Sequence, residues 1–167
     1  MYLKGLAYEI VPVDLVAGEQ RAPDYVALNP GAGVPTLILD DGTTLSQSMA
    51  ILDYLDAIAA PRLLPDAPVA RAKVLAAAHT VALDIHPVNN LRVVHYLKSH
   101  FAADAQKAQA WMVHWMEQGF AALETQLSEE TTFSFGDAPD LADLCLVSQM
   151  YNARRWGVDT RPFPKVT

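Results

Sequence analysis

The 167 residues are 51% hydrophobic and 19% charged with no long polar tract, the composition of a folded chain with length enough for one domain or two small ones. A formal net charge of -7 excludes a nucleic-acid surface, which needs a clustered excess of Lys and Arg. No apolar run approaches the about 20 residues of a membrane span, and the lone cysteine, Cys145, excludes a disulfide framework and a Cys-x-x-Cys redox pair, which points to a reducing cytosol.

In chain order, "LAYEIVPV" alternates in part and is rich in β-branched residues, so Leu6 to Val13 reads as a strand, with Pro12 near an edge or strand end. A polar loop follows, and Pro23 to Leu28 fits one helical turn with proline at its first position. "VPTLILDDGTTLSQS" reads as strand, Asp-Gly turn and short strand. "SMAILDYLDAIA" then sets Ile51, Leu52, Leu55 and Ile58 on one helical face, with Asp53 and Asp56 on the other. The Pro-rich stretch from Ala60 to Val69 lacks periodicity and reads as a linker between residues 1–60 and an all-helical 70–167. Beyond it, one helix is expected from Ala70 to about Lys98, kinked where Pro87 removes a hydrogen bond. A second spans Ala105 to Leu127 with Met112, Trp115, Met116, Phe120, Leu123 and Leu127 in one stripe. Asp140 caps a third, "LADLCLVSQMYNARRW", with Asp143 in its first turn.

The candidate site lies in "NPGAGVPTLILDDGTTLSQSMAILDYL". A proline at the mouth of a strand, behind a cis bond, turns the main chain of Val34 outward as a strand-like edge. The helix opening at Gln47 and Ser48 presents unsatisfied N–H groups and a hydroxyl suited to a carboxylate. A small peptide with an extended backbone and a free carboxylate satisfies both; a strand-entry Pro35 and a simple Ser46 cap are the plainer alternative.

The order "VPTL", hairpin, "SQSMAI.DYL", Pro-rich linker, "DIHPVNNLR", "ADLCLV.Q.YNARR" and "GVD" resembles the zeta class of glutathione transferases, the class of maleylacetoacetate and maleylpyruvate isomerases. The resemblance covers nearly the whole chain, and "DIHPVNNLR" and "YNARR" are its most specific parts. It implies a thioredoxin-like α/β domain followed by an all-α domain, usually in a homodimer, with glutathione as cofactor and a dianionic diketo acid as substrate. It implies glutathione contacts from Gln20, Val34, Pro35, Gln47, Ser48, His86 and Asn90, and substrate carboxylates held by Arg92, Arg154 and Arg155. His86 and Asn90, four apart, are expected on one face of the kinked helix, and Asp84 either reaches the glutathione amine or holds Arg92. It also implies that a strand and helix, about 20 residues, precede "LKGLAYE" and carry the serine that activates the glutathione thiol, and that a further helical portion follows Thr167. That serine is not among these residues, so a glutathione-binding relative without turnover stands beside the isomerase reading. Cys145, among Leu144, Leu146 and Val147, is expected to pack in the core, and His95, His100 and His114 have no ligand-spaced partners for a metal site.

Overall fold

The computed structural model describes residues 1–167, which divide into two compact units, Met1–Arg62 and Leu63–Thr167. In the first, α1 (Pro23–Leu28) precedes a two-stranded antiparallel sheet of β1 (Thr36–Ile38) and β2 (Thr44–Ser46), and α2 (Ser48–Ile58) follows. The register pairs Thr36 with Ser46 and Ile38 with Thr44. The intervening turn places Gly42 at φ 85°, a conformation open to glycine, and Asp41 Oδ1 accepts from Thr43 N at 2.8 Å.

The strand expected over Leu6 to Val13 does not form. A strand exists only as a member of a ladder, and β1 pairs with β2 alone, so this extended segment has no partner and Ile10 and Val11 stay exposed. What anchors the segment is Lys4. Its ammonium donates to Asp56 Oδ1 at 3.0 Å, to Ala59 O at 2.7 Å and to Pro61 O, closing the carbonyl end of α2. Asp56, which spacing placed on a polar face, is therefore buried beside Ile51 and Leu55.

The second unit is helical: α3 (Pro68–His79), α4 (Leu91–Phe101), α5 (Ala105–Gln126) and α6 (Leu141–Trp156). Part of the stretch read as linker belongs to it, since Leu63 and Leu64 are buried and Leu63 O accepts from Leu141 N. Val74, Ala77 and Ala78 of α3, Met112, Met116, Phe120 and Leu123 of α5, and Leu141, Leu146 and Ala153 of α6 form the core. The terminal segment lies on α5, with Phe163 edge-on to Phe120 at 5.8 Å and Glu124 accepting from Lys165 N and Val166 N.

The single kinked helix expected over residues 70–98 is instead broken. After α3 the chain widens into a π-helical stretch, Thr80–Ile85, tightens into a 3-10 turn, His86–Asn89, and becomes extended at Asn90 before α4 restarts. Pro87 has no N–H to continue the ladder, and Asn90 caps the new helix by accepting from Arg92 N at 3.0 Å. Gly119 on α5 makes the wide turn possible, because a Cβ there would lie 2.2 Å from Ile85 Cγ1.

α6 begins as the sequence predicts. Asp140 Oδ1 accepts from Ala142 N and Asp143 N, while Asp143 accepts from Asp140 N with one oxygen and from Ser134 N and Oγ with the other. Burial, and next the neighbouring Asp143 charge, push the Asp140 carboxyl up to about 6 from 3.8. The folded state thus holds this proton more tightly than the unfolded one, so its contribution to stability is present below 3.8 and is lost as pH rises to about 6. Asp140→Asn keeps an accepting oxygen without the charge. Thermal melts between pH 4 and pH 7 should show that decline in the parent and not in the variant; equal pH slopes would refute the assignment.

Candidate functional site

In the first unit the expected residues lie around the hairpin. The Val34–Pro35 bond is cis, Val34 is exposed, and neither its N–H nor its C=O is hydrogen-bonded within the chain. The residues just before it are tightly held. Gly33 O accepts from Tyr25 Oη at 2.6 Å and from Asn29 Nδ2 at 2.8 Å, Tyr25 Oη lies 2.9 Å from Thr36 Oγ1, and Asn29 Oδ1 accepts from Gly31 N at 3.1 Å. Asn29 is buried, so this network fixes the approach to Val34 from beneath.

Gln47, not Ser46, stands at the cap position of α2, and no side chain caps that helix. Its backbone, φ 70° and ψ 114°, is one that a non-glycine residue rarely adopts, and Gln47 and Ser48 are both exposed. An uncapped helix start with a strained residue in front of it offers N–H groups and partial positive charge to an anion. Gln20 lies in a 3-10 turn, Glu19–Arg21, with its Oε1 buried and without a hydrogen-bond partner. A buried acceptor of this kind calls for a donor.

In the second unit the break between α3 and α4 gathers His86, Asn90 and Arg92 within seven residues. His86 and Asn90 do not share a helical face, because the chain is extended at Asn90 and its Oδ1 is engaged in capping α4. Partial burial, and then the Arg92 charge, hold the His86 imidazole below its usual value of 6.5, so it is neutral at pH 7 and one ring nitrogen accepts a proton donor. Arg92 is exposed and makes no ion pair with Asp84. It lines an open groove of about 500 Å³ together with Val93, Tyr96, Leu97, Phe101 and Trp111. The Trp111 indole donates to Val88 O at 2.8 Å, tying α5 to the turn that carries His86. Arg154 and Arg155 are exposed in the last turn of α6 and do not line that groove.

Cys145 is half-buried on α6, and burial together with the Asp140 carboxylate pushes its thiol up to about 11. It has no part in nucleophilic chemistry at neutral pH. Sequence reasoning missed Tyr25 and Asn29, whose role depends on a fold that brings a short helix beneath the hairpin entry. The one available signal was "NPGAG", a turn-rich stretch whose leading asparagine is suited to bonding the backbone two residues on.

The glutathione S-transferase N-terminal domain family matches residues 1–58. The maleylacetoacetate isomerase of Pseudomonas aeruginosa is 42% identical over 98% of this chain and 78% of its own length. Among solved structures, the holo form of a maleylpyruvate isomerase, a bacterial glutathione S-transferase of the zeta class, superposes with a TM-score of 0.94 at 40% identity, covering 98% of this chain and 79% of that one. A maleylacetoacetate isomerase from Anaeromyxobacter dehalogenans, solved with dicarboxyethyl glutathione and citrate in its active site, is 41% identical with a TM-score of 0.84 over 98% of this chain and 73% of that one.

Proposed function

The chain belongs to the zeta class of glutathione transferases, among the maleylacetoacetate and maleylpyruvate isomerases, and on that premise we propose that it isomerises maleylacetoacetate to fumarylacetoacetate with glutathione as cofactor, as a homodimer in the cytosol. The residues present fit glutathione. The unpaired Val34 main chain suits the cysteinyl backbone, the uncapped start of α2 at Gln47 and Ser48 suits the γ-glutamyl carboxylate, and the orphaned Gln20 oxygen suits a peptide N–H. Bound glutathione supplies a thiolate that adds to the conjugated double bond, permits rotation about the resulting single bond, and departs as the trans alkene re-forms. His86, held neutral at pH 7, offers a ring nitrogen as a hydrogen-bond acceptor. Arg92, at the groove, holds one substrate carboxylate in paired hydrogen bonds and sets positive charge where negative charge builds on the diketo acid, while Arg154 or Arg155, outside that groove, is the partner for the second carboxylate only if the substrate reaches beyond it.

The observation that carries this reading is the Val34 edge, exposed and with neither its N–H nor its C=O bonded within the chain. Maleylpyruvate, one carbon shorter, is the second reading, favoured by the close likeness to the maleylpyruvate isomerase structure. The test is glutathione-dependent formation of the trans product from each substrate, followed by absorbance. Arg92→Ala should raise KM for the diketo acid roughly 10-fold to 100-fold, the value of a charge-assisted hydrogen bond or two, and leave KM for glutathione unchanged. Glutathione binding without turnover of either substrate would favour a binding module over an isomerase.

A further inference from the structure

Nothing in the proposed chemistry uses Tyr25 or Asn29, yet both converge on one carbonyl oxygen, that of Gly33. The Gly33–Val34 peptide is trans and therefore planar, so whatever fixes the Gly33 C=O also fixes the Val34 N–H, which points the opposite way. Two donors at 2.6 Å and 2.8 Å hold that carbonyl on its inner side. Asn29, 6% exposed, is itself pinned by Gly31 N and Thr36 Oγ1, so the donors have little freedom to follow a moving loop. The outward N–H is thereby held in one direction while it has no partner in the chain. Such groups ordinarily find water or a ligand.

We propose that Tyr25 and Asn29 are positioning residues that aim the Val34 N–H at the cysteinyl carbonyl of glutathione by clamping the Gly33–Val34 peptide plane. The proposal rests on the reading that Val34 pairs with glutathione. Removing a clamp lets the plane rotate, so glutathione must restrain it on binding and affinity falls, whereas the fold, which does not depend on Val34's direction, is little changed. Tyr25→Phe deletes only the hydroxyl. Asn29→Asp keeps the oxygen that accepts from Gly31 N and removes the nitrogen that donates to Gly33 O and Thr36 Oγ1, so each variant removes one of the two donors to Gly33 O.

Calorimetric titration of glutathione into the parent and each variant, with melting temperatures and the Val34 amide signal in a ¹H–¹⁵N spectrum, tests this without reference to turnover. The expected result is a Kd raised roughly fivefold in each variant, one hydrogen bond's worth, with a shifted or broadened Val34 signal and a melting temperature within a few degrees of the parent. A melting temperature that falls while Kd holds would make both residues structural and overturn the proposal. Failure of either variant to fold would do the same, since the clamp would then be part of the core. A parent chain that does not bind glutathione removes the reading of the site and the proposal together, an outcome distinct from binding that ignores both substitutions.

Discussion

Gly119→Ala is expected to destabilise the helical unit by about 3 kcal/mol, the upper range for forcing a methyl group into a filled core. On an exposed helix the same change would stabilise by about 1 kcal/mol, since alanine is the better helix former. The sign reverses because the added carbon would lie 2.2 Å from Ile85 Cγ1 and 2.3 Å from Cδ1, and Ile85 is only 1% exposed, with nowhere to turn. The π-helical stretch ends at Ile85, so relief of the clash must move the turn leading to His86. Urea unfolding of Gly119→Ala, Ile85→Ala and the double variant measures the coupling. The double variant should be less destabilised than the two single effects summed, because the clash exists only when both side chains are present. A Gly119→Ala protein as stable as the parent would disprove the close contact.

Lys4→Met is expected to cost the first unit about 3 kcal/mol, the low end for leaving one member of a buried ion pair behind. The side chains of Lys4 and Asp56 are each 3% exposed, and the ammonium also serves two main-chain carbonyls at the end of α2. Arg62 Nε approaches Asp56 Oδ2 at 3.5 Å but is half-exposed, so it compensates only in part. With Ile51 and Leu55 as the only buried apolar side chains of this unit, a loss of that size is a large share of its stability. Replacing both partners, Lys4→Met with Asp56→Leu, should recover most of the loss, because no unpaired charge is left inside. Denaturant unfolding followed by the backbone amide signals of Ile51 and Leu55 in ¹H–¹⁵N spectra reads this directly, and a single variant indistinguishable from the parent would show the pair to be dispensable.

Local signals were legible where the physics is local. The Asp-Gly turn, the proline opening α1 and the Asp140 cap each depend on residues within a few positions, and the hairpin, α1 and α6 stand where their sequences put them. Periodicity found the α5 stripe for the same reason, although Trp115, which it placed there, is exposed. The segment from Leu6 to Val13 has a strand's composition without a strand's partner, and composition alone does not supply one. Pro87 announced a disturbance, but whether it kinks or breaks a helix depends on Asn90 capping a restart and on the space at Gly119. Gly119 within an apolar helical stripe was the available hint of close approach. Lys4, Tyr25 and Asn29 act on acceptors that the fold brings to them, and in the case of Lys4 more than fifty residues separate the partners. In the candidate site, motif and resemblance supplied the candidate residues, while the strained backbone at Gln47 and the hydrogen-bonded carbonyl before Val34 belong to three dimensions.

Maleyl compounds are electrophiles that alkylate thiols, so a protein that handles them is exposed to slow suicide through its own sulfur. At pH 7 a thiol held near 11 is ionised in only about one molecule in ten thousand, and the thiolate is the reactive form. The half-buried placement of Cys145 beside Asp140 thus makes the lone cysteine a bystander, leaving the mobile cofactor's sulfur to meet the substrate unopposed.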